Sequence, residues 1–170
     1  MKRLVYVPLE PYQERYTQQL SAPKVGWFES QWIKHGINYI RIDGDEELTL
    51  VPRKIRSGSV LDAVGRSRWC ANQLLRLYDM IDKGELHGTD RIYFDDFWHP
   101  GIESLKYIFH QSEYFKQNGE PKLYSYLWAQ SADSWDFTYS MRNWIRHYEK
   151  GNGRIFDGVF VANTLLQELV

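Results

Sequence analysis

Two carboxylates and an imidazole stand within five residues of one another, directly after a short β-like run. Asp95 or His99 could take a proton from a hydroxyl nucleophile, and Asp96 is a third candidate for that role. Trp98, which lies between them, could stack on a sugar ring or a base. One histidine beside two aspartates matches no standard set of metal ligands, so no metal is expected here. The segment therefore indicates proton transfer, unless Asp96 merely caps the next helix and His99 is a polar residue at the rim.

A second polar segment, residues 10–18, follows the first β-like run. It contains neither GxGxxG nor a P-loop, and a dinucleotide-binding domain would need the former at this position. Side chains in this segment could instead hydrogen-bond a polyhydroxylated ligand, and an ordinary solvated loop is the alternative. The candidate substrate-binding residues are Glu10, Arg15, Tyr16 and Gln18.

Two more candidates for substrate binding follow the fourth β-like run. Trp128 and Gln130 stand where that run should open into the same crevice as the segment around Asp95. A loop that caps the following helix, with tryptophans that only pack, is the alternative interpretation.

Basic residues cluster before the longest helical pattern and in its first turns. Such a patch can hold phosphates although the whole chain has a net charge of −1. A solvated helix face is the competing interpretation. The hypothesis of nucleic-acid binding predicts one exposed basic surface made of Arg53, Lys54, Arg56, Arg66 and Arg68.

The elements that must position these residues follow an α/β rhythm. Apolar β-like runs alternate with helical patterns, which is typical of a mainly parallel, Rossmann-like sheet with helices on both faces. The runs are residues 4–9, 37–42, 92–94, 123–129 and 159–161. Helices are predicted at 25–35, 60–82, from Pro100 onward, at 136–149 and at 164–170.

Glycines are expected to end three of these helices: Gly36 the first, Gly84 the second, and Gly151 with Gly153 the fourth. Ile33 and Val64 fall on the predicted apolar faces of the first two helices, and the fourth helix carries Trp144 and Tyr148.

Parallel strands all point the same way, so the loops that leave their carboxyl ends gather at one edge of the sheet. We therefore expect one shared site at that edge, with Asp95 and His99 on its rim. The residues expected to meet there are Glu10, Arg15, Asp95, His99 and Gln130.

The length of 170 residues is that of one domain. Cys70 is the only cysteine and falls on the apolar side of the longest predicted helix, which indicates a core thiol and a reduced, cytoplasmic setting. No secretory signal is recognisable, and no apolar stretch reaches the roughly 18 residues that a membrane span needs.

The order of these parts resembles the N-terminal Rossmann-like domain of GT-B glycosyltransferases. The segment Asp157-Gly158-Val159-Phe160-Val161-Ala162-Asn163-Thr164 is similar to the strand-to-helix step late in such domains. The likeness covers the whole chain as a pattern. The opening segment Pro8-Leu9-Glu10-Pro11-Tyr12 differs from the Gly-rich first loop that is common in these enzymes.

The resemblance implies a function for the chain as one half of an enzyme. In this family the N-terminal domain usually binds the acceptor, and a C-terminal domain binds a nucleotide sugar. The chain would then be the acceptor half, with a donor-binding domain missing from it or on another chain. Some GT-B enzymes of bacterial viruses glycosylate modified bases in DNA, and the basic segment and the aromatic residues are compatible with that acceptor.

Two other classes of function compete with the transferase. One is a non-catalytic flavodoxin-like or response-regulator-like module that binds a ligand or a partner; Glu10 as a lone acid after the first strand argues against a receiver. The other is a complete small nucleotide-modifying enzyme. The donor sugar, the acceptor and the oligomeric state are not encoded in any motif of this sequence.

Overall fold

A computed structural model of the protein describes residues 3–11, 26–45 and 63–162. Predictions for the intervening segments and for residues 163–170, including the terminal helix, lie outside the described residues. Within the described part the chain alternates between strands and helices, as the hydrophobic pattern predicts.

The strands form a single five-stranded sheet in which every neighbouring pair is parallel, so the predicted fold class is confirmed. Their order across the sheet is β2-β1-β3-β4-β5. Three predicted runs continue past the carboxyl ends of their strands, and at the first of them Pro8 has no N–H to donate to a ladder. The strands are β1 Leu4–Val7, β2 Tyr39–Arg41, β3 Arg91–Phe94, β4 Lys122–Leu127 and β5 Gly158–Val161.

From β1 the chain adds β2 on one side of the sheet and then adds β3, β4 and β5 on the other side. The switch point of the sheet therefore lies between β1 and β3. In open α/β sheets the crevice beyond the carboxyl ends of the strands at such a switch point is the usual ligand site. Glu10 follows β1 and Asp95 follows β3, so both carboxylates belong to the segments that flank this crevice.

Helices connect the strands over both faces of the sheet. Gly36 follows the first helix with φ +63° and Gly84 follows the longest one with φ +66°, so both predicted glycine C-caps are confirmed. The helices are α1 at residues 26–34, α2 Ala63–Asp82, α3 Glu103–Gln111, α4 Glu113–Asn118 and α5 Arg142–Ile155, with a 3-10 helix at Phe137–Met141.

One face of the sheet carries the aliphatic core. Val5, Ile92 and Leu123 point to this face from three adjacent strands and are fully buried. Leu77 of α2 and Leu105 of α3 pack against them. Side chains alternate between the two faces along a strand, so the residues between these positions must project to the opposite side.

The opposite face is aromatic. Tyr6 of β1 stacks on Tyr93 of β3 with ring centroids 5.9 Å apart, and Phe28 and Trp32 of α1 pack edge-on against Tyr6. Farther along the sheet, Phe160 of β5 is half exposed. The aromatic content of the sequence is therefore used in part to join α1 to the sheet.

Several details of the predicted helices are wrong. Val64 and Ile33, both assigned to apolar helix faces, are 55% and 68% exposed. The helix predicted from Pro100 begins at Glu103 instead, after a turn. The fourth predicted helix, over residues 136–149, is a 3-10 turn followed by α5.

Gly151 and Gly153 were predicted to end that helix, and this too is wrong, because α5 continues to Ile155. Between the two glycines, buried Asn152 donates its side-chain N–H to the carbonyl of Phe97 at 2.9 Å. This tertiary hydrogen bond holds the last turn of α5 against the segment that follows β3. None of the described helices is both long and apolar enough to cross a membrane.

Candidate functional site

A buried ion cluster fills the crevice at the switch point. Arg66, on the first turns of α2, donates from Nη1 to both carboxylate oxygens of Glu10 at 3.0 Å. Its Nη2 donates to Oδ2 of Asp96. All three side chains are buried or nearly so. The guanidinium thus bridges the loops that leave β1 and β3.

The cluster holds two carboxylates and one guanidinium, so its formal charge is −1. Burial raises the pKa of Glu10, and the charge of Arg66 opposes that shift. Such a cluster depends on its cation, because a buried carboxylate without a partner is costly. The prediction that Arg66 belongs to an exposed basic surface is therefore wrong, since α2 turns this residue towards the two acids.

His99 lies beside the cluster and is held by Gln73 of α2. Its Nε2 is 3.1 Å from Oε1 of Gln73, while Nε2 of Gln73 donates to the carbonyls of Pro8 and Ile42 at 2.8 and 2.9 Å. Because the Gln73 amide uses its N–H groups on carbonyls, its oxygen is left to accept, and Nε2 of His99 is then the protonated nitrogen. Gln73 also satisfies carbonyls at the ends of β1 and β2.

Burial, followed by the repulsion of Arg66, lowers the pKa of His99 to about 3. His99 is 4% exposed, and Asp95 is fully buried. The expectation that these two residues lie on the rim is wrong, because the turn after β3 folds them inward against α2 and the sheet.

A neutral buried histidine predicts a specific dependence of stability on pH. The unfolded chain binds a proton at His99 below about pH 6.5, whereas the folded protein does not until about pH 3. The contribution of neutral His99 to the free energy of unfolding is therefore fully present above pH 6.5 and is lost as the pH falls towards 3. In His99→Gln, which can still donate to Gln73, we expect the free energy of unfolding to change less between pH 7 and pH 4.5 than in the parent protein.

Urea unfolding at the two pH values measures this difference. His110→Gln, at an exposed position of α3, is the matched control for the loss of an imidazole. An identical change with pH in His99→Gln and in the parent would show that His99 titrates alike in the folded and unfolded states.

Asp95 points away from the ion cluster, into the aromatic face. Its Oδ2 accepts from the hydroxyl of Tyr6 at 3.2 Å, and its backbone carbonyl accepts from Nε1 of Trp128 at 2.6 Å. Burial, with the charge of Asp95 next, raises the pKa of Tyr6. The two adjacent aspartates are therefore on different sides of the sheet, as successive side chains of an extended segment must be.

An open cleft of about 390 Å³ lies next to the ion cluster, at the carboxyl edge of the sheet. Its walls come from the loops after β3 and β4 and from the first turns of α2 and α5. Arg66 and Asp96 form the charged part of its lining. The rest is mostly apolar and includes five aromatic residues, Trp98, Trp128, Phe137, Trp144 and Tyr148. We call this the aromatic cleft.

The rings of the aromatic cleft are fixed by specific contacts. Trp128 stacks on Tyr126 with centroids 4.1 Å apart, and Trp98 meets Tyr148 edge-on at 6.3 Å. The Tyr148 hydroxyl donates to the carbonyl of His99 at 2.9 Å. Nε1 of Trp98 is buried and has no hydrogen-bond partner among the described residues. The cleft thus offers flat apolar walls and a donor that a ligand could use.

Gln130 does not share the aromatic cleft with Trp128. It lines a second cavity of about 490 Å³ on the other side of α5, together with Arg146 and Lys150. Two residues after the same strand thus reach different cavities, and the prediction that both open into one crevice is wrong.

The other predicted site residues divide into two groups. Arg68 is exposed on α2, as the hypothesis of a basic surface requires. Six further candidates lie outside the described residues: Arg15, Tyr16, Gln18, Arg53, Lys54 and Arg56.

Sequence reasoning missed residues that the fold brings to the site. Gln73 stands among apolar residues of α2, and a polar residue on an otherwise buried helix face is a signal that it has a buried partner. Trp144 and Tyr148 were assigned only to a helix. Their i, i+4 spacing on α5 was the available signal that both could line one groove.

Comparisons with known proteins give this chain no relative: no family model matches it, and neither a curated protein nor a solved structure does. Among the described residues, no group of three or more histidine, cysteine, aspartate or glutamate side chains is placed to hold a metal ion. The aromatic cleft and its charged lining are therefore the features of this chain that bear on its function.

Proposed function

We propose that this chain is the acceptor-binding domain of a glycosyltransferase of the GT-B type, and that the aromatic cleft holds the acceptor. The observation that carries the proposal is the joining of aromatic walls to a carboxylate, Asp96, at the carboxyl edge of a parallel sheet. Ligand sites are typically apolar concavities with a few placed polar groups. Aromatic faces suit the apolar faces of sugar rings and the π-faces of bases.

Asp96 is the candidate proton acceptor within this proposal. Of the candidates Asp95, Asp96 and His99, only Asp96 lines the aromatic cleft. Its Oδ1 accepts from the backbone N–H of Trp98 at 2.9 Å, and its Oδ2 accepts from Arg66. Each carboxylate oxygen has two lone pairs, so Asp96 can accept a further hydrogen bond from an acceptor hydroxyl.

The proposed reaction is a displacement at the anomeric carbon of a nucleotide sugar. The acceptor oxygen forms a bond to that carbon while the bond from the carbon to the nucleotide phosphate breaks. The nucleotide leaves with the electron pair, and the hydroxyl proton passes to Asp96. The donor would be held by a C-terminal domain in the complete enzyme, and the acceptor could be a sugar or a modified base in DNA.

Transfer of radiolabelled sugar from a panel of nucleotide sugars, assayed with the natural full-length protein, tests this function. Sugar and DNA acceptors form separate arms. Trp144→Ala is expected to raise KM for the acceptor roughly tenfold, because a stacked ring contributes about 1–3 kcal/mol. Trp144 is 59% exposed, so its removal should leave the fold intact.

Trp135→Ala is the matched control, since Trp135 is 95% exposed and does not line the aromatic cleft. Its KM should equal that of the parent. Equal effects of the two substitutions would exclude the aromatic cleft as the acceptor site, and the absence of transfer or donor hydrolysis with every nucleotide sugar would contradict the function itself.

A second candidate function is a flavodoxin-like module that binds a ligand or a partner without catalysis. The strand order β2-β1-β3-β4-β5 favours it, because this is the order of flavodoxin-like sheets. The module would bind a ligand in the aromatic cleft with no turnover. Binding of an aromatic or sugar ligand together with the absence of transfer in the full-length protein would favour this function over the first.

We also propose a cytoplasmic location. Cys70 is a free, fully buried thiol, and burial raises its pKa to about 12, so it is protected from oxidation and carries no disulfide. A protein that keeps a single inert thiol suits a reducing compartment.

A further inference from the structure

The cavity on the far side of α5 has a lining unlike that of the aromatic cleft. It has a volume of about 490 Å³ and lies beside the loop that leaves β4. Its lining includes three cations of α5, spaced four residues apart so that they follow one stripe of the helix. These cations are Arg146, Lys150 and Arg154.

Gln130 adds a buried donor to the same cavity. The residue is 4% exposed, and its Nε2 has no hydrogen-bond partner among the described residues. A buried amide N–H without a partner is costly, and native proteins rarely leave one unsatisfied. A ligand oxygen that enters the cavity would satisfy it. The Gln130 donor and the three cations therefore both favour an anionic ligand that accepts hydrogen bonds.

One acid also lines the cavity, and each of its carboxylate oxygens already accepts a hydrogen bond from Ser131. Glu149 accepts from the backbone N–H of Ser131 at 2.8 Å through Oε1 and from the Ser131 hydroxyl through Oε2. With three cations and one carboxylate, the lining keeps a formal charge of +2. That excess, together with the Gln130 amide, favours a multiply charged oxyanion.

We propose that this cavity is a phosphate-binding site, in which Arg146, Lys150 and Arg154 neutralise the ligand and Gln130 donates a hydrogen bond to one of its oxygens. Arginine pairs with two phosphate oxygens at once, and lysine adds a point charge. The phosphate can belong to a small nucleotide-like ligand or to a nucleic-acid backbone. The site does not depend on sugar transfer, because α5 separates it from the aromatic cleft.

Titration calorimetry with inorganic pyrophosphate at low salt tests the site. The double substitution Lys150→Glu/Arg154→Glu should weaken binding more than tenfold. Both residues are exposed, so the fold should tolerate the change. Lys34→Glu/Lys83→Glu changes the net charge by the same amount at exposed positions away from the cavity, and its affinity should stay within twofold of the parent.

Gln130→Met separates a built site from a merely cationic surface. It keeps the length of the side chain and the charge of the lining while removing the donor, so pyrophosphate affinity should fall at least fivefold. Parallel titrations with a short DNA duplex distinguish the two sources of phosphate. If the cavity variants lose only pyrophosphate binding, the site binds a small ligand; if they lose duplex binding as well, the site binds a backbone phosphate. No binding by the parent, or equal weakening in the control pair, would overturn the proposal.

Discussion

Arg66→Met is expected to lower the free energy of unfolding by about 3–5 kcal/mol at pH 7, because it leaves two carboxylates buried without their cation. Arg66 binds Glu10 through Nη1 and Asp96 through Nη2. Methionine keeps an unbranched side chain out to the position of Nε and carries no charge, so most of the loss reports the ion cluster. Urea unfolding monitored by tryptophan fluorescence measures it.

Arg68→Met is the matched control. It makes the same chemical change two residues along α2, at an exposed position, and should alter stability by no more than about 0.5 kcal/mol. If both substitutions cost the same, Arg66 does not stabilise the carboxylates in the folded protein.

The pH dependence of Arg66→Met has a definite sign. Burial already raises the pKa of Glu10, and loss of the Arg66 charge removes the effect that opposes this shift. A carboxyl group with a raised pKa in the folded state stabilises the fold as the pH falls, because the folded protein then binds more protons than the unfolded chain. The deficit of Arg66→Met relative to the parent should therefore shrink between pH 7 and pH 5. Glu10→Gln in the same chain should recover part of the lost stability.

Asp96→Asn is expected to lower the turnover of sugar transfer about 10²-fold if Asp96 is the proton acceptor. The fold should survive this substitution, because the buried cluster changes from a formal charge of −1 to a neutral pair of Arg66 and Glu10. The effect should appear in kcat, with little change in KM for the acceptor.

Asp133→Asn is a close control for this substitution. Asp133 and Asp96 both accept from the backbone N–H two residues along the chain, at 2.9 Å, and Asp133 does not line the aromatic cleft. Its turnover should match that of the parent. Full activity in Asp96→Asn would exclude Asp96 as the base and leave the aromatic cleft as a binding site only.

The expected meeting of Glu10, Asp95 and His99 at one edge was partly predictable. Parallel strands fix the edge at which their loops emerge, and both the predicted strands and the predicted sheet are present. The direction of the strands does not predict which face of the sheet each of these side chains lies on. Asp95 joins Tyr6 on the aromatic face, whereas Asp96 joins Arg66 on the other.

The ion cluster itself was beyond the reach of sequence patterns. Arg66 stands in a basic run, and helical spacing places it on the face of Cys70, Leu74 and Leu77, which was a signal of burial. No pattern in the sequence identifies Glu10 and Asp96 as its partners. Which of Arg66 and Arg68 is buried depends on the rotation of α2 about its axis. That rotation is set by the packing of Leu74 and Leu77 against the sheet. A rotation of 100° per residue places Arg68 about 160° from Arg66, towards solvent.

The sequence by itself determined the fold class, the five strands and the edge at which polar residues collect, because these depend on hydrophobic periodicity and on the common direction of parallel strands. Only the tertiary structure decided that Arg66 closes the crevice at the switch point and that Trp128 and Gln130 serve different cavities. Those outcomes depend on long-range packing. Helix α2 brings Arg66 to acids that are 30 and 56 positions away in the sequence. Helix α5 continues past two glycines, where Asn152 donates a hydrogen bond to the distant carbonyl of Phe97. Contacts at such separations leave no periodic trace in the chain.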